Sequence, residues 1–204
     1  MSGDESGARH ASLWSNAIAH ASLRNSWSFT FGSYWLGRTG MDRFPKYERA
    51  GAYHWTQATA SWNNPAYNAP LAARYSALMS FVPSSARLVL DAGCGDAFVL
   101  HQLRRRGYQR VVGVDADPVG VQVARNQLRS LGTQALCHVS RGSLYSLPFP
   151  QQTFDCVVMA DVIEHLDRPL PALEEVARVL SIRGALVLTT PNWQRDRTWD
   201  NLHV

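Results

Sequence analysis

The chain has 204 residues, 46% hydrophobic and 18% charged, with a net charge of +4, a composition that excludes disordered and fibrous classes and supports one substantial core plus an appendage. No apolar run approaches the roughly 20 residues of a membrane helix, and the start Met1-Ser2-Gly3-Asp4-Glu5-Ser6 lacks the basic and apolar parts of a secretory leader, so a cytoplasmic protein is expected. Cys94, Cys137 and Cys156 fall in or beside apolar runs, which suits reduced buried thiols better than disulfides or a metal site.

Residues 1–45 are rich in Ser, Ala, Gly and aromatics, among them Trp14, Trp27, Phe31 and Trp35; without periodicity they read as a partly flexible tail. Residues 46–84 read as a helical segment: Pro70 can begin a helix, and Leu71, Tyr75, Leu78 and Met79 recur at i, i+4, i+7 and i+8. Its aromatics Trp55, Trp62, Tyr67 and Tyr75 fit either a lid across a crevice or the filling of a small helical core.

From residue 85 the chain alternates strand and helix, which predicts a parallel sheet with crossover helices. Leu88–Leu90 is the first strand, followed by a helix with Phe98, Val99 and Leu103 that stops near Gly107. A strand over 111–115 leads to Asp117-Pro118, an N-cap with a first-turn proline, and a helix carrying Val121, Ala124, Leu128 and Leu131. A weaker strand is expected over 135–139 and a strong one over 154–159; the stripe Leu170, Leu173, Val176, Ala177, Leu180 predicts a helix that Gly184 releases into a last strand over 185–189. The cluster Arg104-Arg105-Arg106 sits at a predicted helix C-terminus, where cations complement the helix dipole, so nucleic acid is unlikely as a partner.

Chemistry concentrates in Leu88-Val89-Leu90-Asp91-Ala92-Gly93-Cys94-Gly95-Asp96-Ala97. Two glycines after a strand let main-chain N–H groups approach a ligand, and Asp91 puts a carboxylate at the strand end, where open α/β sheets bind ligands. Phe98 stands where a dinucleotide fingerprint needs its third glycine, which argues against a nicotinamide site.

The acid-first pattern resembles motif I of class I S-adenosylmethionine (SAM) methyltransferases, with Ala97 where a third glycine is usual. Gly113-Val114-Asp115, Leu147-Pro148-Phe149, Phe154-Asp155-Cys156-Val157-Val158, Asp161-Val162-Ile163-Glu164-His165-Leu166, Ala177-Arg178-Val179-Leu180 and Thr189-Thr190-Pro191-Asn192 follow in family order. The resemblance implies a Rossmann-like, mostly parallel sheet with helices on both faces, SAM as cofactor, and a small-molecule acceptor methylated on oxygen or nitrogen. It assigns Asp115, with Ala116 beside it, to the ribose hydroxyls; Asp91 to the ammonium group; Gly93 and Ala160 to the borders of the methionine part; Cys94 and Gly95 to cofactor binding in the same turn; and Ser143 and Leu144 to adenine. Ser143 reads equally as a turn residue. A faint likeness to the ubiquinone-type O-methyltransferases sets Arg74 near the cofactor, a surface arginine being the alternative. Asp161, Glu164 and His165, at i, i+3 and i+4, are expected on one face of a helical turn, with His165 as general base, oriented by one of the two carboxylates, or as a packing residue. No metal is expected. Family sheets have seven strands, the last antiparallel, and the fifteen residues after Thr189 do not hold two more; the domain, residues 85–204, is therefore expected to be C-terminally incomplete or to have that edge covered otherwise. The alternative to an enzyme is a non-catalytic SAM-fold binding or interaction module.

Overall fold

The computed structural model of the chain describes residues 19–21 and 45–191; the other residues of the expected N-terminal tail lie outside that range. The elements are β1 (Ala19–Ala21), α1 (Pro45–Ala50), α2 (Tyr53–Asn63), α3 (Ala69–Phe81), β2 (Leu88–Ala92), α4 (Phe98–Arg105), β3 (Arg110–Asp115), α5 (Pro118–Ser130), β4 (Cys137–Arg141), β5 (Phe154–Ala160), a 3-10 turn (Ile163–His165), α6 (Pro169–Val179) and β6 (Leu180–Thr189). They build one sheet in the order β1-β6-β5-β2-β3-β4. Every neighbouring pair is parallel except β1 with β6. After β2 the chain builds outward through β3 and β4, then returns to β5 on the other side of β2. The C-terminal end of β2 is therefore a topological switch point, the place where such sheets open a crevice.

The alternation of side chains along a strand divides the core between the two faces of the sheet. Val89, Val111, Cys156 and Val158 face α3, α4 and α5, meeting Leu78, Met79, Leu100, Leu103, Ala124 and Leu128. Leu90, Val157 and Met159 face the other way, against Ala172, Val176 and Val179 of α6. The Rossmann-like architecture expected from the sequence is the one observed.

Two boundaries differ from the sequence reading, one set by a local turn and the other by the pairing of neighbouring strands. The strand expected over 135–139 runs from Cys137 to Arg141, since Leu136 and Cys137 donate their N–H groups back to the Thr133 carbonyl in a turn closing α5. The helix expected through Leu180 ends at Val179, and β6 begins at once. There the β5 edge claims the chain: Thr153 N–H bonds the Val179 carbonyl and Leu180 pairs with Phe154, so β6 runs through Gly184 instead of starting after it. The edge beside β6 is covered, one of the two outcomes the sequence left. Ala19–Ala21 lies antiparallel along Leu186–Leu188, so a segment from before the sheet covers the side on which the sequence left β6 unpaired.

Three of the helical aromatics pack on one ring. Trp55, Trp62 and Tyr75 set their rings 5.9, 6.2 and 5.2 Å from that of Phe98, all edge-on, a geometry favoured by the aromatic quadrupole. Tyr67 is exposed. Among the described residues no helix is long and apolar enough to cross a membrane.

Phe98 is 3% exposed and joins α2 and α3 to α4. Phe98→Ala is expected to cost about 3–5 kcal/mol and to release protease cutting first within α2 and α3, as limited proteolysis beside chemical denaturation will show.

Candidate functional site

The turn after β2 is held open by its glycines and tied down by backbone bonds. Gly93 has φ +86° and Gly95 φ +49°, left-handed conformations that side chains resist. Gly93 and Cys94 donate their N–H groups to the Val114 carbonyl at 2.8 and 3.0 Å. Gly95 donates to Asp115 Oδ2 at 2.8 Å, and Asp117 N–H reaches Oδ1 of the same carboxylate at 2.9 Å. Asp115 at the tip of β3 thus fixes both the glycine turn and the start of α5. That helix is capped in its turn by Asp117, whose Oδ1 accepts from Val119 and Gly120.

Asp91 ends β2 with both carboxylate oxygens buried and without a hydrogen-bond partner among the described residues. Burial, and then the charges of Asp115 and Asp96, push its carboxyl up to about 8. A buried acid lacking a partner in an acidic crevice is the complement of a cationic ligand. Asp115 is also raised, by burial first, although the N–H groups of Asp117 and Gly95 oppose the shift. The Cys94 thiol is raised chiefly by burial and then by the same three carboxylates, so it stays protonated, packed in the core against Gly113.

Tyr47, Asp96 and Val162 complete this corner, and the sequence reading missed all three. The Tyr47 hydroxyl bonds His54 Nδ1 at 2.7 Å, and a Cβ placed on Gly95 would lie 2.2 Å from the Tyr47 oxygen. The Tyr47 ring also lies against Gly120. Asp96 Oδ2 accepts the Trp55 N–H at 2.7 Å, at the start of α2, where Ala52 offers no side-chain cap. Burial pushes Asp96 up to about 6. A Cβ on Gly93 would meet Val162 Cγ2 at 2.6 Å. The available signal was the unsatisfied N-terminus of α2, which requires an acceptor from elsewhere; periodicity carried no trace of Tyr47.

The acceptor-side residues are arranged differently from the sequence expectation. Asp161 has φ +53° and precedes a 3-10 turn containing only Ile163–His165, so Asp161, Glu164 and His165 do not share one helical face. Arg74, 4% exposed, donates Nε and Nη2 to Asp161 Oδ2 at 3.1 and 3.0 Å, while Thr189 donates to Oδ1. Arg74 is therefore a buried ion-pair partner of Asp161, neither a surface arginine nor a group without a counter-charge. Thr190 donates to Glu164 Oε2, and Oε1 is buried without a partner among the described residues. Burial, followed by the Asp161 charge, lifts Glu164 to about 8. His165 stands exposed on the turn.

The remaining expected residues flank the crevice. Ala160 ends β5 and pairs with Thr189. The Ala116 carbonyl accepts from Arg141 Nε. Ser143 is exposed, its hydroxyl accepting the Tyr145 N–H in a turn. Leu144 is buried with Leu90, Val114 and Leu147. Asp155 accepts the N–H groups of Arg87 and Leu88 at the far end of β2.

Residues 90–188 match the family described as a methyltransferase domain. A probable S-adenosylmethionine-dependent methyltransferase of Mycobacterium tuberculosis is 35% identical over 108 residues, 53% of this chain and 37% of that protein. A tRNA U34 carboxymethyltransferase of Shewanella denitrificans is 32% identical over 108 residues, 53% of this chain and 32% of that protein. The chain thus spans about a third of the length of these curated relatives. Among solved structures, the PH0226 protein of Pyrococcus horikoshii superposes with a TM-score of 0.57 at 28% identity, covering 71% of this chain and 65% of that one.

Asp91 has a folded value near 8 against an ordinary carboxylate value of about 3.9. The folded protein therefore holds a proton that the unfolded chain has lost, so this group's stabilising effect is full below about pH 4 and lost as pH rises toward 8. Calorimetric melting of the ligand-free protein from pH 5 to 8 is expected to show a smaller fall in Tm for Asp91→Asn than for the parent; parallel curves would contradict it.

Proposed function

Taking as premise that residues 90–188 belong to the class I S-adenosylmethionine-dependent methyltransferase family, we propose that this chain binds SAM in the crevice at the ends of β2, β3 and β5 and transfers its methyl group to an oxygen or nitrogen of a small-molecule acceptor. The observation that carries the reading is the buried, unpartnered carboxyl of Asp91 beside the glycine turn. The cofactor's ammonium group would supply the missing partner and hold Asp91 ionised.

The neighbouring residues fit the rest of the ligand. Asp115 has one oxygen bonded to Gly95 and the other to Asp117, but each carboxylate oxygen can accept a second bond, here from a ribose hydroxyl. Gly93, Cys94, Gly95 and Ala160 line the methionine side, Ala116, Ser143 and Leu144 the adenine side. Arg74 holds the segment after β5 in place through Asp161 and so shapes the crevice beside the cofactor.

When bound, the cofactor supplies a sulfonium methyl group for in-line displacement by the acceptor heteroatom. The chain's part is positioning, exclusion of water and removal of a proton. Val162, packed over Gly93, shields the reacting side. Exposed on the turn after β5, His165 takes the acceptor's proton. Asp161 is engaged with Arg74 and Thr189, and Glu164 with Thr190 through one oxygen. The name of the Shewanella relative keeps RNA open as an acceptor class, and a small molecule is the reading adopted.

Asp115→Ala removes two charged acceptors worth about 1.5–3 kcal/mol each before water compensates, so SAM affinity by titration calorimetry is expected to fall at least tenfold; unchanged affinity in a folded variant would sink the site assignment. For His165→Ala we expect SAM affinity within about twofold of the parent and methyl transfer lowered by about 100-fold, measured with radiolabelled SAM and fractionated cell extract. A parent protein that binds SAM yet labels no fraction is instead a binding module.

A further inference from the structure

The end of the sheet opposite the crevice is basic. Arg87 precedes β2, Arg110 opens β3, Arg106 follows α4, and Arg183 lies near the start of β6. All four are exposed. In sequence only Arg106 belongs to the cluster that reads as a complement to a helix dipole; the parallel sheet brings the other three beside it, because the N-terminal ends of its strands share one side.

These arginines line two adjoining hollows. One, of about 860 Å³, is bordered by Arg87, Arg106, Arg110 and the half-buried ring of Tyr108; the other, of about 450 Å³, by Arg183, Ser181 and Asp155. Ser85 and Ala86 border both, so the hollows run together as an elongated groove. Among the described residues Asp155 is the one carboxylate in its lining, and it is already bonded to two backbone N–H groups. Arg106 spends one donor on the Met79 carbonyl, and Arg87 and Arg110, which border the groove, make no side-chain hydrogen bond or ion pair among the described residues.

From this we infer that the groove binds single-stranded RNA through its phosphate backbone, at a site separate from the cofactor crevice. Exposed guanidinium groups spread along a groove match successive phosphates of a polymer, each able to take a bidentate pair. A compact anion would instead need converging, buried donors. Tyr108, packed on the core and fixed by its hydroxyl on the Val82 carbonyl, is partly exposed at the groove and would be the aromatic on which an unstacked base rests, a contact that single-strand binding surfaces use and a duplex does not. The groove lies one strand length, about 15 Å, from the crevice, so RNA bound there leaves the cofactor site open.

Fluorescence anisotropy with a labelled mixed-sequence RNA of about 15 nucleotides tests this. With four phosphate contacts, the logarithm of the association constant is expected to fall against that of salt concentration with a slope of about −3 between about 50 and 200 mM. The double variant Arg87→Glu/Arg110→Glu should bind at least tenfold more weakly and with a slope nearer −1.5, while SAM affinity and the melting curve stay as in the parent. Arg87→Lys/Arg110→Lys, which keeps the charge, should stay within about threefold of the parent. RNA binding equal in parent and charge-reversed protein, or absent from both, overturns the inference. So does binding to anionic phosphatidylserine vesicles in place of RNA, or equal affinity for a duplex of the same length.

Discussion

The bond from the Gly95 N–H to the Asp115 carboxylate, 2.8 Å long, joins the turn after β2 to the tip of β3, and the geometry of the crevice follows from it. It holds Gly95 in a left-handed conformation and draws the chain tightly past Gly93. With Asp117 N–H on the other oxygen, one carboxylate organises a glycine turn, a strand end and a helix start. Because Asp115 must point inward to do this, it comes to lie beside Asp91 and Asp96. The result is a cluster of three carboxyl groups taken largely out of water.

Such a cluster is electrostatically costly, and the shifts of Asp91, Asp96 and Asp115 all run upward with burial as the leading cause. Asp96 recovers part of that cost through Trp55 N–H; Asp91 recovers none from the protein. A site built this way favours a ligand that brings its own positive charge and hydroxyl donors. The sheet is polarised in two groups of charges: Asp91 and Asp115 lie where parallel strands end, Arg87 and Arg110 where they begin. Parallel topology makes that separation possible, since it places all five strand beginnings on one side and all five ends on the other.

The helical segment before the sheet is bound to the turn more closely than a loosely hinged cover would be. Asp96 caps α2, Tyr47 of α1 touches Gly95 and Gly120, and Phe98 anchors the rings of α2 and α3. Movement of α1 or α2 would therefore uncover Gly95 and break the bond to Asp96 together. Arg74 makes a corresponding tie from α3 to Asp161 at the end of β5. Both walls of the crevice thus depend on the N-terminal helices.

By itself the sequence determined the alternation of strand and helix, the core positions and the acid-glycine turn, because each is written in local periodicity or in residues with few conformational substitutes. Val89 and Leu90 must face opposite ways, and Gly93 and Gly95 can turn where others cannot. What only the tertiary structure decided lies in contacts between segments far apart in the chain. No local pattern pairs Arg74 with Asp161 across 87 positions or Trp55 with Asp96 across 41. Likewise, β6 starts at Leu180 because β5 offers it an edge, and Arg87, Arg106 and Arg110 share a groove only because parallel strands start together. Sequence spacing fixes what a residue can do within its own element; which charge it meets, and whether water is there to screen it, is set by elements that arrive from elsewhere in the fold.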